Sequence, residues 1–313
     1  VTLARIATRP GAARPAGARL LAALAVACSL LAAPAAAVQD PPRLEQDATL
    51  TWSERGADFG GFSALQLSDD GTRVLALSDR GHWATAVLER EGGRIMGARR
   101  TGSGPLLGVA ETRLRDRDVD AEGVAVDDRG RAYVAFEQFH RIRRYDRIDG
   151  PAADVPGAQG FEGLRGNAGL EALAIDADGV LYAIPERSRA WGEPFPVFRL
   201  RDGAWDTRVS LPRVGPFLVT GADFGPDGRL YLLERDFQRF RGFRTRVRRF
   251  TLGAGGFAGG EILLETRWLE LDNMEGISVW RDPAGSIRVT LLSDDNFFPL
   301  QRTQLAEYIL VGD

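Results

Sequence analysis

From residue 63 to the end, one pattern of apolar and polar positions recurs. The copies read SALQLSDDGTRVLALSD, EGVAVDDRGRAYVAFE, EALAIDADGVLYAIPE, TGADFGPDGRLYLLE and EGISVWRDPAGSIRVTLLSD. Each is a short alternating apolar run, a turn rich in Asp and Gly, and a second run closing on a carboxylate. Alternation of period two across such a turn predicts a β-hairpin. The turn glycines are Gly71, Gly130, Gly179, Gly228 and Gly285, a spacing of roughly fifty residues that points to a repeat architecture.

A hairpin at that period predicts an all-β chain, a β-propeller of five or six blades. A blade needs four strands, and residues 139–145, 197–200 and 245–252 are candidates for the outer ones. The last copy leaves room for about three, ending in residues 304–310. The missing strand is expected from Thr49-Leu50-Thr51-Trp52, closing the ring. A sixth, degenerate blade has room between Trp83 and Asp120. Residues 102–108 and 150–169 are rich in Gly and Pro and read as loops, and helical signals are weak throughout.

The first residue of each first strand carries oxygen: Ser63, Glu122, Glu171, Thr220 and Glu275. The residue ending each second strand is Asp79, Glu137, Glu186, Glu234 or Asp294. In an antiparallel hairpin these positions are neighbours. If the first strand is innermost, the pairs converge on one mouth of the axial channel. So many carboxylates cannot all stay ionised without compensation. A hard cation such as Ca²⁺ or another divalent ion, nearby Arg, or retained protons would each relieve them. The following loops carry Arg80, Arg187, Arg189 and Arg235, and the aromatics Trp83, Phe139, Trp191, Phe237, Phe240, Phe297 and Phe298. Those rings would either wall a ligand cleft or pack between blades.

His is scarce. His82 and His140 lie in equivalent loops, each a candidate general base or metal ligand. No nucleophile elbow, phosphate-cradling loop or dinucleotide fingerprint occurs. If there is chemistry, cation-assisted hydrolysis with Arg holding an anionic group is the simplest class. On this reading Asp79, Glu122, Glu171, Glu275 and Asp294 are candidate metal ligands. Glu122 and His82 are candidate catalytic groups, and Arg80, Arg187 and Arg235 candidate contacts to a small anionic ester.

Composition narrows this further. The 313 residues suffice for a large core, and the net charge of −3 provides no field for nucleic acid. Lys is absent, so the 40 Lys and Arg are all Arg, the planar side chain suited to bidentate oxyanion contacts. Arg-bearing residues 1–19 precede an apolar run over 20–33 and then Pro34-Ala35-Ala36-Ala37. This reads as a signal peptide over 1–37, followed by a lead-in over 38–55 and the propeller domain over 56–313. A periplasmic or secreted monomer is expected. Lipidation at Cys28 fits poorly, because it would leave Leu30-Leu31 on the mature chain. Removing Cys28 leaves no thiol. No later segment is long and apolar enough to span a bilayer.

The C-terminal copy carries a further signal. Asn273-Met274-Glu275-Gly276-Ile277-Ser278, Leu292-Ser293-Asp294-Asp295-Asn296-Phe297 and Gln301-Arg302-Thr303-Gln304-Leu305 resemble the bacterial phytase-like family, described as "esterase-like activity of phytase". Gly61-Phe62-Ser63-Ala64-Leu65, Leu77-Ser78-Asp79-Arg80-Gly81 and Asp120-Ala121-Glu122-Gly123 support the resemblance, which covers roughly residues 56–310. It implies hydrolysis of phosphate or carboxylic esters on a propeller. Calcium-dependent propeller phytases also place Lys on phosphate, and this chain has none. The Glu-Gly starts resemble gluconolactonase-like propellers with one axial metal. A non-catalytic binding propeller and a sugar lactonase remain as alternatives.

Overall fold

The computed structural model describes residues 40–56, 58–157, 161, 164 and 169–313. The signal-peptide reading of residues 1–37 lies outside the described residues. Strands account for nearly all regular structure. Two single-turn 3-10 helices, Val109–Glu111 and Asp116–Asp118, are the only helical segments among the described residues.

Five four-stranded antiparallel sheets follow one another. Blade 1 is β2 (Phe62–Leu67), β3 (Arg73–Ser78), β4 (His82–Glu91) and β5 (Arg94–Pro105). Blade 2 is β6 (Ala121–Val126), β7 (Ala132–Phe136), β8 (Arg141–Tyr145) and β9 (Ala152–Asp154). Blade 3 is β10 (Leu170–Ile175), β11 (Leu181–Pro185), β12 (Phe195–Arg201) and β13 (Ala204–Leu211). Blade 4 is β14 (Leu218–Phe224), β15 (Leu230–Gln238), β16 (Gly242–Gly253) and β17 (Gly256–Glu265). Blade 5 is β18 (Asn273–Arg281), β19 (Ile287–Asp294), β20 (Gln304–Val311) and, from the other end of the chain, β1 (Arg43–Thr51).

The expected closure by an N-terminal strand is therefore present, with β1 longer than the four residues anticipated. Among the described residues there is no sixth blade. Residues 83–120 instead supply the two outer strands of blade 1 and the crossing to blade 2. Their alternation is that of a half-exposed edge pair, and β5 shows it in alternating burial. The loops expected at 102–108 and 150–169 each yield strand, the end of β5 and the short β9.

The core lies between blades. Each of five apolar clusters joins two neighbouring blades, for instance Tyr231 and Leu233 of blade 4 with Ile277 and Val289 of blade 5. One cluster joins Trp280, Leu292 and Leu305 of blade 5 to Phe62, Leu65 and Val74 of blade 1, so the ring is closed. Second strands such as β19 are buried on both faces, which explains their near-continuous apolar runs.

Closure also has a polar lock. Glu307 on β20 accepts from Arg90 on β4 at 2.7 and 2.8 Å, from Arg288 at 2.9 Å and from the Thr290 hydroxyl at 3.1 Å. Arg288 also pairs with Asp47 on β1 at 2.7 Å. One carboxylate thus ties together β4, β19 and β20, and through Arg288 it reaches β1.

Every inner strand runs from one end of the channel, here called the mouth, to the other end. The Asp-Gly turns sit at that far end, and the turn glycines have left-handed φ, from 65° at Gly71 to 90° at Gly285. The Asp that opens such a turn accepts backbone N–H groups. Asp127 accepts from Arg129 at 3.0 Å and Arg131 at 2.9 Å, and Asp176 accepts from Asp178 at 3.0 Å and Val180 at 2.9 Å.

Candidate functional site

The five oxygen-bearing residues expected at the mouth share one backbone feature. The pairing of first and second strands slips at Phe62/Ala64, Ala121/Gly123, Leu170/Ala172, Val219/Gly221 and Met274/Gly276. Ser63, Glu122, Glu171, Thr220 and Glu275 are the residues skipped. A β-bulge leaves its extra residue out of the ladder and re-aims its side chain. All five line the axial constriction, together with the two residues that follow each of them.

The position after each bulge is small: Ala64, Gly123, Ala172, Gly221 and Gly276. The inner strands approach too closely there for more. A Cβ on Gly123 would stand 3.1 Å from the Glu171 carbonyl oxygen, and one on Gly221 2.7 Å from that of Glu275. The recurring Glu-Gly pair thus couples an aimed carboxylate to a close backbone crossing.

The second-strand residues at the mouth are Asp79, Glu137, Glu186, Arg235 and Asp294. Arg235 pairs with Leu218, as Asp294 pairs with Asn273. Glu234 was expected here, and the register corrects that by one residue. Side chains alternate faces, so a slip of one moves Glu234 into the wall. Fully buried there, it accepts from Arg246 at 2.9 Å and from Arg248 at 2.6 and 2.7 Å. Arg235 stands seven residues after Gly228, the same offset as Glu137 from Gly130 and Glu186 from Gly179. That offset was the available signal.

Arg235 therefore sits inside the ring. It donates to Asn273 Oδ1 at 2.5 Å and to Glu275, and it lies 3.8 Å from Glu186. These contacts give it a counter-ion role within the ring. Arg187 is paired with Glu186 at 2.7 Å, and Arg80 lies with its guanidinium 3.3 Å over the Phe297 ring. Thr220 donates to the Met274 carbonyl at 3.1 Å, a strut between blades 4 and 5.

Glu275 is the common neighbour of the ring. Burial comes first in raising Asp79 to about 6, Asp294 to about 8, and Glu122 and Glu171 well above the usual carboxylate range. The charge of Glu275 adds to all four. Glu137 is also raised, by burial, against the pull of the Gly169 N–H it accepts at 3.2 Å. The ring thus holds more carboxylate than Arg235 alone compensates.

One subset is tighter. Asp120, Glu122 and Glu137 each offer a carboxylate oxygen, and these oxygens lie within 4.8 Å of one another. Asp120 stands beside Glu122 and adds to the rise of its pKa. Among the described residues no Arg pairs with any of the three within 4.0 Å. Oxygens bound to one Ca²⁺ at 2.3–2.6 Å stand at most about 5 Å apart, so this donor set fits a hard divalent cation. Asp120 and Glu137 were not among the expected ligands. Of those that were, Glu122 belongs to the trio, Asp79, Glu171 and Glu275 interact electrostatically with its members, and Asp294 with Glu275 and Asp79.

The two histidines differ in setting. His82 opens β4 with Nδ1 3.1 Å from the Arg80 carbonyl oxygen. His140 lies with Glu137 against Gly169, where an added Cβ would meet the ring at 3.0 Å. Several aromatics of the expected cleft wall, including Trp191 and Phe240, are exposed and do not pack between blades. A wide cavity of about 1730 Å³ occupies the far end of the axis, lined by the Asp-Gly turns. Asp127 and Asp176 there are engaged by their own backbone, and among the described residues the only close carboxylate trio is the one at the mouth.

Parts of the C-terminal signature are structural. Asp295 accepts from the Gly61 N–H at 2.8 Å and the Thr303 hydroxyl at 3.0 Å, joining blade 5 to the entry of blade 1. Asp272 accepts from Gln301 at 3.1 Å and the Arg302 N–H at 2.9 Å.

Over residues 57–297 the sequence matches the family Phytase-like, described as "Esterase-like activity of phytase". No curated protein matches it. Among solved structures, the PQQ-bound aldose sugar dehydrogenase of Streptomyces coelicolor aligns with a TM-score of 0.50. It shares 12% identity, over 86% of this chain and 98% of that one. A candidate gluconolactonase aligns at 0.46 with 14% identity, over 86% and 93%. A candidate glucose dehydrogenase of Thermus thermophilus aligns at 0.39 with 16% identity, over 86% and 100%. At such identities the first of these likenesses speaks for the propeller fold alone.

Proposed function

The chain belongs to the phytase-like family, and from that premise we propose a divalent-cation-assisted hydrolase of phosphate or carboxylic esters, with its site at the acidic mouth. The observation that carries this is the trio Asp120, Glu122 and Glu137, three carboxylates within 4.8 Å of one another and without an Arg partner among the described residues. These three would hold the ion, Ca²⁺ by donor chemistry, with Glu171 and Asp79 beside them. A bound cation there supplies charge stabilisation at an ester oxygen.

The remaining roles fall to the chain's own groups. Arg80 and Arg187, both exposed beside the mouth, are placed to orient an anionic ester. Phe297 holds the Arg80 guanidinium flat, which limits the conformations it must lose on binding. Arg235 keeps Glu275 compensated and so limits repulsion within the ring. His140, next to Glu137, is the candidate proton carrier on the blade 2 side.

The test joins metal content, melting temperature and an ester panel on the purified protein. Calcium should raise the melting temperature, EDTA should reverse it, and turnover of a phosphate or carboxylic ester should follow the metal. No bound metal and no response to EDTA would overturn the proposal. Calcium binding without turnover on any ester would assign the mouth to binding alone.

A further inference from the structure

We propose that the mouth-side face of the propeller docks on an anionic lipid surface. Among the described residues, eleven large apolar side chains stand exposed, and eight of them, all but Met96, Val109 and Ile262, lie on loops or hairpin tips at the mouth end. They come from different blades: Phe139 from blade 2, Trp191 from blade 3, Phe240 from blade 4, Phe298 and Leu300 from blade 5. Phe240 is 95% exposed, Leu300 82% and Trp191 74%. Single exposed apolar residues are ordinary on a protein surface; here they are concentrated at one end of the molecule.

The blade 4 hairpin is the most developed anchor. β15 and β16 stay paired from Arg235↔Thr245 out to Gln238↔Gly242. The tip therefore stands about 10 Å beyond the ring at strand rise. It reads Phe237-Gln238-Arg239-Phe240-Arg241-Gly242-Phe243-Arg244, aromatic and basic with no acid. It is also braced. Asp236 pairs with Arg244 at 3.0 Å, the Phe237 and Phe243 rings lie 4.9 Å apart, and Leu269 packs on Gly242. Phe240 is thus presented on a rigid support.

Arginines stand between the apolar tips: Arg187 and Arg189 before Trp191, Arg239 and Arg241 around Phe240, and Arg302 after Leu300. The ring carboxylates lie inside this circle, half-buried or buried, while Asp118, Glu193 and Glu270 are exposed on the surrounding loops. Aromatic tips suit the headgroup level of a bilayer, and guanidinium groups pair with its phosphates. A protein partner would favour one contiguous apolar patch, whereas separated anchors around a circle match a broad deformable plane. The inference does not depend on the mouth holding a metal.

The whole protein would be sedimented with vesicles of phosphatidylcholine, with and without about 30% phosphatidylglycerol, in EDTA so that calcium bridging makes no contribution. Binding to the anionic vesicles should be at least ~10-fold tighter and should weaken with salt. A Trp191→Ser, Phe240→Ser double variant should lower it ~10-fold or more. An Arg239→Glu, Arg241→Glu variant should erase the anionic preference. All four positions are exposed, so melting temperatures should stay unchanged. Brominated lipid should quench tryptophan emission of the unaltered protein, and the Trp191 variant should lose that quenching. Absence of vesicle binding, equal binding to neutral vesicles, indifference to both variants, or tighter binding to a single-stranded oligonucleotide would each overturn the proposal.

Discussion

At the residue scale, two glutamates separated by their surroundings carry opposite expectations. Glu122 is held among other carboxylates, and burial with the charges of Glu171, Glu275 and Asp120 raises its pKa. Glu122→Gln removes a repulsive charge. In EDTA at pH 8 the variant should be more stable, by on the order of 1 kcal/mol, and calcium should no longer raise its melting temperature. Glu234 instead accepts from both Arg246 and Arg248 in the wall. Glu234→Gln strands two buried guanidinium groups and should cost about 3–5 kcal/mol, a fall of roughly 10 °C for a domain this size. Differential scanning fluorimetry reads both. The pair also shows how far sequence went. The repeat offset singles out Glu122, whereas Glu234, the last acid of the fourth hairpin, lies one register position from the place on the ring that Arg235 occupies.

At the element scale, the bulge is the functional unit. It frees one residue per inner strand from the ladder, and the small residue after it lets the strands crowd the axis. Gly221→Ala places a Cβ 2.7 Å from the Glu275 carbonyl oxygen, an atom of the neighbouring inner strand that cannot swing away. The expected loss is about 1–3 kcal/mol, read as a shifted urea midpoint, together with weaker calcium binding as Glu275 and its strand move. Hairpin existence and turn chemistry were legible, since the Asp that opens each turn and the glycine at left-handed φ are local requirements. The trio Asp120, Glu122 and Glu137 was not legible as one cluster. Asp120 lies one residue before β6 begins, and only the meeting of blade 2's two strand ends places it with Glu122 and Glu137.

At the scale of the whole molecule, closure depends on β1. Deleting residues through Thr51 removes the partner of β20, the Asp47 contact to Arg288 and the Leu44 side chain from the blade 4–5 core. The shortened chain should expose an unpaired edge and aggregate, seen as loss of the native peak in gel filtration and of a cooperative melt.

Stability should also depend on pH. Asp79, Asp223 and Asp294 have folded pKa values of about 6, about 7 and about 8, all above the ordinary carboxylate value. Between the unfolded and folded values the folded state binds more protons, so stability falls as pH rises through this window. The melting temperature in EDTA should decline from pH 5 to pH 9. Calcium should flatten the part carried by the mouth and leave the part carried by Asp223, which lies at the other end of the inner strand.

The sequence by itself determined the local units and their number of visible copies: five hairpins, five turns with their glycines, and an oxygen at the head of each inner strand. These follow from period-two alternation and turn sterics, which act over a few residues. Tertiary structure alone decided that residues 83–120 complete blade 1 and form no sixth blade, that Arg235 rather than Glu234 faces the ring, and that Asp120, Glu122 and Glu137 make the tight donor set. Each of these depends on strand register and on the contact of different blades at a common axis. Those relations join residues far apart in the chain, and no spacing along the chain records them.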